Sequence, residues 1–174
     1  MNEAAEERPV WAWIDLEALR HNARRARACA GGRGVIGVVK ADAYGHGAVD
    51  VARALLAAGI RRLAVVSVAE GAELRRAGIV SPILLMGGLD DAAAAERAAK
   101  WSLTPVLHDR RGLELAQARG RREAPLSVEV EVDTGMRRMG VPYEEARALV
   151  EQIQASPRLS LSGLFTHLAK ADEA

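Results

Sequence analysis

The chain has 174 residues, 49% of them hydrophobic, with 24 Lys plus Arg against 23 Asp plus Glu for a net charge of +1. That content suits one domain with its own core, or part of a larger one, and argues against disorder, while the balanced charge gives no reason to expect nucleic acid or an anionic membrane as a partner. The single Cys29 excludes an internal disulfide and any CxxC metal site, no apolar run approaches the roughly 18 residues of a membrane span, and the acidic opening MNEAAEERPVW lacks a signal-peptide pattern, so a cytoplasmic protein is expected.

WAWI (11–14) reads as a possible first strand, and a helix is expected over 16–29 behind Asp15 as N-cap, with glutamate in its first turn. Thereafter short apolar runs alternate with alanine-rich amphipathic segments. Strands are expected at VIGVVK (35–40), LAVVS (63–67), PILLM (82–86), SLTPVL (102–107), LSVEVEV (126–132) and LSLSGLF (159–165), with helices at 48–58, 69–77, 90–100, 109–119 and 143–155. This order argues for parallel βαβ units in one domain, compatible with an open doubly wound sheet or a closed barrel; periodicity alone does not choose. The arginines at 24, 25 and 27, and at 119, 121 and 122, read as solvated faces.

Two motif matches fail on context. GRGVIG (32–37) fits G-x-G-x-x-G but leads into a strand instead of joining a strand to a helix, so it has no Rossmann cradle to offer. DTG (133–135) matches an aspartic-protease triplet, yet that chemistry needs a second, facing aspartate.

Chemistry-bearing residues gather at strand C-terminal ends, where parallel α/β proteins place their sites. In strand 126–132, Val128, Val130 and Val132 alternate with Glu129, Glu131 and Asp133. If the valines face the helices, the acids face the other side, which in a barrel is the interior. Arg137 and Arg138 follow in the next loop, Lys40 ends strand 35–40, and His167 lies just past strand 159–165; His21, His46 and His108 are read as structural. A lysine among barrel walls is expected to have a lowered pKa, and its neutral amine can condense with an aldehyde as a Schiff base. Tyr44, between glycines, is placed to offer a hydroxyl to a phosphate, and the N-terminus of helix 48–58 also favours anions.

VVKADAYGHG (38–47) resembles the pyridoxal phosphate attachment signature of the alanine racemases. EVDTGMRRMG (131–140), LFTHLAKADE (164–173) and the opening WAWIDLEALRHNARR resemble further blocks of that family in the same order, so the likeness runs along nearly the whole chain. The resemblance implies a fold-type III enzyme, a parallel (β/α)8 TIM-type barrel followed by a mostly β C-terminal domain, working as a homodimer. It implies pyridoxal 5′-phosphate as cofactor, held by Lys40, with Tyr44 at its phosphate, His167 against the pyridine ring, and Arg138 at its phenolic oxygen and the substrate carboxylate. The implied activity interconverts L- and D-alanine, supplying D-alanine for peptidoglycan, with Lys40 as base on one face of Cα and a tyrosine of the partner's C-terminal domain on the other.

The sequence ends at Ala174, after about six of the eight expected barrel strands. Residues 1–174 are therefore read as an incomplete N-terminal cofactor-binding domain, a truncated form expected to be inactive alone. A pyridoxal phosphate homeostasis protein and a decarboxylase of the same fold type are disfavoured by ADAYGHG after the lysine; a non-catalytic remnant is the other alternative. The chain departs from a common family pattern at Glu131, where many alanine racemases carry a carbamylated lysine that braces the arginine matching Arg138. Glu131 offers negative charge without modification but on a shorter side chain, about 3–4 Å short of the same reach. A water-bridged or shifted pairing with Arg138 or Arg137 is expected, or pairing elsewhere in the barrel.

Overall fold

The structure, a computed structural model, describes residues 10–171. Helix α1 (Leu16–Cys29) starts where expected, because the Asp15 carboxylate accepts hydrogen bonds from the Glu17 and Ala18 N–H groups at 2.9 Å each. There follow β1 (Ile36–Val38), α2 (Lys40–Gly45), α3 (Ala48–Ala57), β2 (Arg62–Val65), α4 (Val68–Arg76), β3 (Ile83–Leu85), α5 (Ala92–Lys100), β4 (Thr104–Leu107), α6 (Arg110–Arg119), β5 (Leu126–Asp133), β6 (Val141–Pro142), α7 (Tyr143–Ala155) and β7 (Leu159–Phe165).

The six strands expected after WAWI are all present, mostly shorter at their ends; β6 and α2 were not foreseen. WAWI itself is not a strand. A strand exists only by pairing, no described strand pairs with these residues, and Trp11 and Trp13 stand 80% and 87% exposed. GRGVIG does run into a strand, β1, as its rejection required.

Strands β1 to β5 lie side by side in sequence order, and β5 also pairs with β7 along Leu126–Glu131 and with the short β6 at its own end. Every pairing is parallel. This order decides what periodicity left open. A doubly wound sheet reverses its strand order at a switch point, whereas a barrel adds each strand beside the last, and β1-β2-β3-β4-β5-β7 has no reversal.

The two faces of the strands differ as the alternation in β5 suggests. Outward residues Leu63, Val65, Ile83, Leu85, Leu107, Val128 and Val130 are fully buried in one cluster with Leu74, Ala98, Leu113, Ala116 and Ile153 of the helices. Alanine at so many helix contact positions lets those helices sit close to the sheet. The inward face carries a small apolar cluster of Ala64, Leu84 and Val106, packed by Met86 and Phe165, and beside it two buried acids, Glu129 and Glu131. Three helices, α4, α5 and α6, begin with capping side chains, Ser67, Asp91 and Asp109. Their N-termini thus follow the strand ends along the edge where the chemistry-bearing residues lie. No helix of the described residues is long and apolar enough to cross a membrane.

Candidate active site

Lys40 does not end a strand in the ordinary way. β1 stops at Val38, the Val39 N–H still reaches the Ala64 carbonyl at 2.9 Å, and Lys40 then opens a turn of left-handed helix. Ala41, Asp42, Ala43 and Tyr44 all have φ between 50° and 58° and ψ between 38° and 52°. None is glycine, and the left-handed conformation costs an L-residue about 1–2 kcal/mol, so four in succession cost about 4–8 kcal/mol unless contacts offset it.

The offsetting contacts come from both ends of the turn. At its start the Ala41 N–H donates to Glu70 Oε1 at 2.9 Å, and the Ala43 N–H to the Val39 carbonyl at 3.0 Å. At its end Asp42 Oδ1 accepts from the Ala48 N–H at 2.6 Å and the Asp42 carbonyl from Gly47 N–H at 3.0 Å, while the His46 ring is hydrogen-bonded to the Ala43 and Tyr44 carbonyls. Gly45 and Gly47, both at positive φ, complete the reversal into α3. The anion at the N-terminus of α3 is therefore Asp42 of the chain itself, which takes the place expected for a phosphate there. Lys40 is half-buried, Tyr44 is 61% exposed, and the Lys40 Nζ lies 6.0 Å from the Tyr44 ring centroid.

On the inward face of β5 the acids form two layers. In the lower, the Arg62 guanidinium donates to Glu129 Oε1, and Ser162 Oγ stands 3.5 Å from the same oxygen. Gly163 leaves room for that carboxylate, since a Cβ there would lie 3.1 Å from its carbon. In the upper, Glu131 Oε2 lies 3.1 Å from His108 Nε2, both side chains being largely buried. The brace foreseen from Glu131 was to Arg138 or Arg137; the partner found at hydrogen-bond distance is His108. Arg138 is exposed and shares with His108 a cleft that Gly87, Asp90 and Met139 also line.

The loop bearing Arg138 is shaped by Asp133. Its Oδ1 accepts from the Gly135 N–H at 2.9 Å and the Arg137 N–H at 3.0 Å, with Arg137 at φ 55°. Those N–H bonds, from Arg137 and then Gly135, hold the Asp133 carboxyl below its usual range. Thr134 and Thr166 join hydroxyls at 2.7 Å, tying this loop to the segment after β7 that carries the exposed His167.

Lys40, Arg138 and His167 thus share one edge but form separate groups: Lys40 with Tyr44 behind β1, and Arg138 with His108 and Glu131 behind β4 and β5, linked through Thr134 and Thr166 to His167. Among the described residues β1 pairs only with β2 and β7 only with β5, so Lys40 and His167 stand at the two ends of the strand path. Two residues of the site escaped the sequence reading. His108 was legible, because the alternation that turns Glu129 and Glu131 inward does the same for Val106 and His108, and the register sets Val106 against Glu129. Glu70, 30 residues from Lys40 in sequence, gave no signal beyond its capping spacing from Ser67.

Fold and site together define a barrel-type α/β domain that presents a lysine from a strained turn, a buried histidine–carboxylate pair and an arginine loop at the C-terminal ends of its strands. A family model described as the N-terminal domain of alanine racemase matches residues 14–174. The chain belongs to the alanine racemase family. It is 43% identical over 166 residues to an alanine racemase of Synechocystis sp., covering 94% of this chain and 45% of that protein, and 44% identical over 170 residues to one from Desulforamulus reducens, covering 95% and 45%. Among solved structures it resembles alanine racemase from E. faecalis, with a TM-score of 0.83 at 34% identity over 92% of this chain and 44% of that one. The Bacillus anthracis enzyme with bound L-Ala-P gives 0.82 at 31%, over 96% and 45%. The chain spans less than half the length of these relatives. The family's enzymes use pyridoxal 5′-phosphate.

Proposed function

We propose that this chain is the cofactor-bearing barrel part of an alanine racemase, with Lys40 as its attachment point and catalytic base. The observation that carries the reading is the run of left-handed residues directly after Lys40, because strain of this size persists where a side chain must be held in one direction. The residues suit the group: a half-buried primary amine for an aldehyde, the Tyr44 phenol for a phosphate, and the Arg138 guanidinium for a phenolic oxygen and a carboxylate. When bound, pyridoxal phosphate supplies an electron sink that makes an amino acid's Cα–H acidic.

Around it each side chain has its own task. The Lys40 Nζ would take and return the proton on one face of Cα, Arg138 would orient the substrate carboxylate, and His167 would help hold the cofactor. Glu131 and His108 form a buried pair under the cleft that Arg138 lines. The acid or base for the other face comes from sequence beyond residues 1–174, in a homodimer a tyrosine of the partner, so the 174-residue chain alone does not racemise alanine. A cytoplasmic enzyme supplying D-alanine for cell-wall peptidoglycan is the role this reading gives the complete protein.

The test is borohydride reduction of the complete protein with pyridoxal phosphate, followed by peptide mapping, alongside alanine racemisation by the complete protein and by the 174-residue chain. Label on Lys40 and activity only in the complete protein are expected. Label on Lys100 or Lys170, or Lys40-dependent turnover by the short chain, would remove the corresponding claim.

The Glu131 and His108 pair makes a separate prediction. Glu131→Gln keeps the shape and a hydrogen-bonding amide but removes the charge facing His108, so a charge-assisted bond becomes a neutral one, a difference worth up to about tenfold. Turnover is expected to fall by up to about tenfold and substrate to bind more weakly, with the Lys40 label unchanged and activity indifferent to bicarbonate. Steady-state kinetics identical to the unaltered protein would show that the charge of the Glu131–His108 pair has no part in turnover or substrate binding.

A further inference from the structure

Glu70 sits on α4, outside the motif that carries Lys40, yet its carboxylate serves two elements at once. Oε1 accepts from the Ala41 N–H at 2.9 Å, at the first residue of the left-handed turn. Oε2 accepts from the Val66 and Ser67 N–H groups at 2.8 and 2.9 Å, at the end of β2, while Ser67 Oγ accepts from the Glu70 N–H at 3.2 Å to close a capping box on α4. An ordinary capping box has one duty, the N-terminus of its own helix. Here the other oxygen, Oε1, is committed to the neighbouring βα connection at Ala41. The Ala41 N–H needs it: the first N–H groups of a helical turn have no partner inside that turn, whichever its hand.

We infer that Glu70 is the positioning residue for Lys40, its carboxylate holding the left-handed turn against the end of β2 so that the amine keeps one direction at the mouth of the barrel. The inference rests on the reading of Lys40 given above. Partial burial of Glu70, which favours the neutral acid, is outweighed by the N–H groups of Ser67, Ala41 and Val66, and its carboxyl is held below the usual range, as a fully committed anion requires.

The geometry separates this role from simple capping. Ser67→Ala removes the hydroxyl half of the box and leaves all three N–H bonds to Glu70. Glu70→Ala removes both duties. Glu70→Gln keeps one accepting oxygen and turns an NH2 group toward the other donors, so it can serve α4 or the turn but not both. Ala41→Gly makes the left-handed conformation sterically free at the residue Glu70 holds, without touching α4.

The experiment measures, in the complete protein, the pyridoxal phosphate concentration that half-saturates borohydride-trapped label on Lys40, together with the thermal midpoint of each variant. Glu70→Ala is expected to raise the half-saturating concentration about tenfold or more. Ser67→Ala should lower the thermal midpoint with less than about a twofold change in labelling, and Ala41→Gly placed in the Glu70→Ala background should recover most of the labelling without recovering the midpoint. Equal losses in Ser67→Ala and Glu70→Ala, with no rescue by Ala41→Gly, would reduce Glu70 to a cap of α4 and overturn the inference. If Glu70→Ala does not fold, amide exchange at Ala41 decides: about tenfold slower in the unaltered protein than in Glu70→Gln supports it, and equal rates overturn it. No label on Lys40 in the unaltered protein overturns the reading of Lys40 itself, and this inference with it.

Discussion

Lys40→Ala and Lys40→Arg are expected to abolish racemisation by the complete protein alike, each by at least about 10³-fold in kcat, the range lost when a positioned base and covalent attachment point disappears. The arginine variant makes the prediction sharp. It keeps the positive charge and a long aliphatic stem where Lys40 lies half-buried, but a guanidinium stays protonated at any working pH and does not condense with an aldehyde. Were Lys40 present for its charge or its packing, for example against the Tyr44 ring 6.0 Å from its Nζ, arginine would retain most of the function. Activity of Lys40→Arg within tenfold of the unaltered protein, measured with trapped label absent from position 40, would sink the assignment. Thermal midpoints close to that of the unaltered protein are expected for both variants, since the Ala41 and Ala43 backbone bonds that hold the turn do not involve the lysine side chain.

How far the sequence could be read depended on whether each feature is written in a local period. The strands after WAWI and the long helices were legible because apolar alternation and alanine-rich amphipathic runs are local, and the inward face of β5 was legible from its alternating valines and acids. WAWI misled because alternation says nothing about whether a partner strand is present. The barrel order was not in any period; it appeared only when parallel pairing set β1 to β5 side by side without reversal. The left-handed turn was hidden for a different reason. Alanine and aspartate carry no preference for that conformation strong enough to announce it, and the contacts that hold it come from Glu70 and from Asp42 bonding forward to Ala48. His108 taken singly reads as a structural histidine, whereas the register places its strand against the acids of β5.

The lower acid layer carries the largest stability effect expected in the chain. Glu129 is 3% exposed inside the sheet, and its carboxylate accepts from the Arg62 guanidinium, whose side chain is 35% exposed. Glu129→Ala takes away the only charge-compensating partner found for Arg62 among the described residues and opens a gap under Gly163. Breaking a buried pair from one side costs about 3–5 kcal/mol. Because water reaches part of Arg62, the lower end applies, about 3 kcal/mol, which for a chain of this size is a fall of about 6–12 °C in the thermal midpoint. Replacing both partners, Arg62→Met with Glu129→Leu, leaves no charge unpaired and fills the same space, so it should recover most of that loss. The layer lies directly beneath His108 and Glu131, with Val106 beside Glu129 in the register. Glu129→Ala is therefore expected to loosen the His108 pairing as it lowers the midpoint, and the double replacement to restore both. Denaturant unfolding of the two variants beside the unaltered protein checks it: a single and a double replacement equally destabilised would mean that packing, and not the ion pair, sets the strength of the barrel interior.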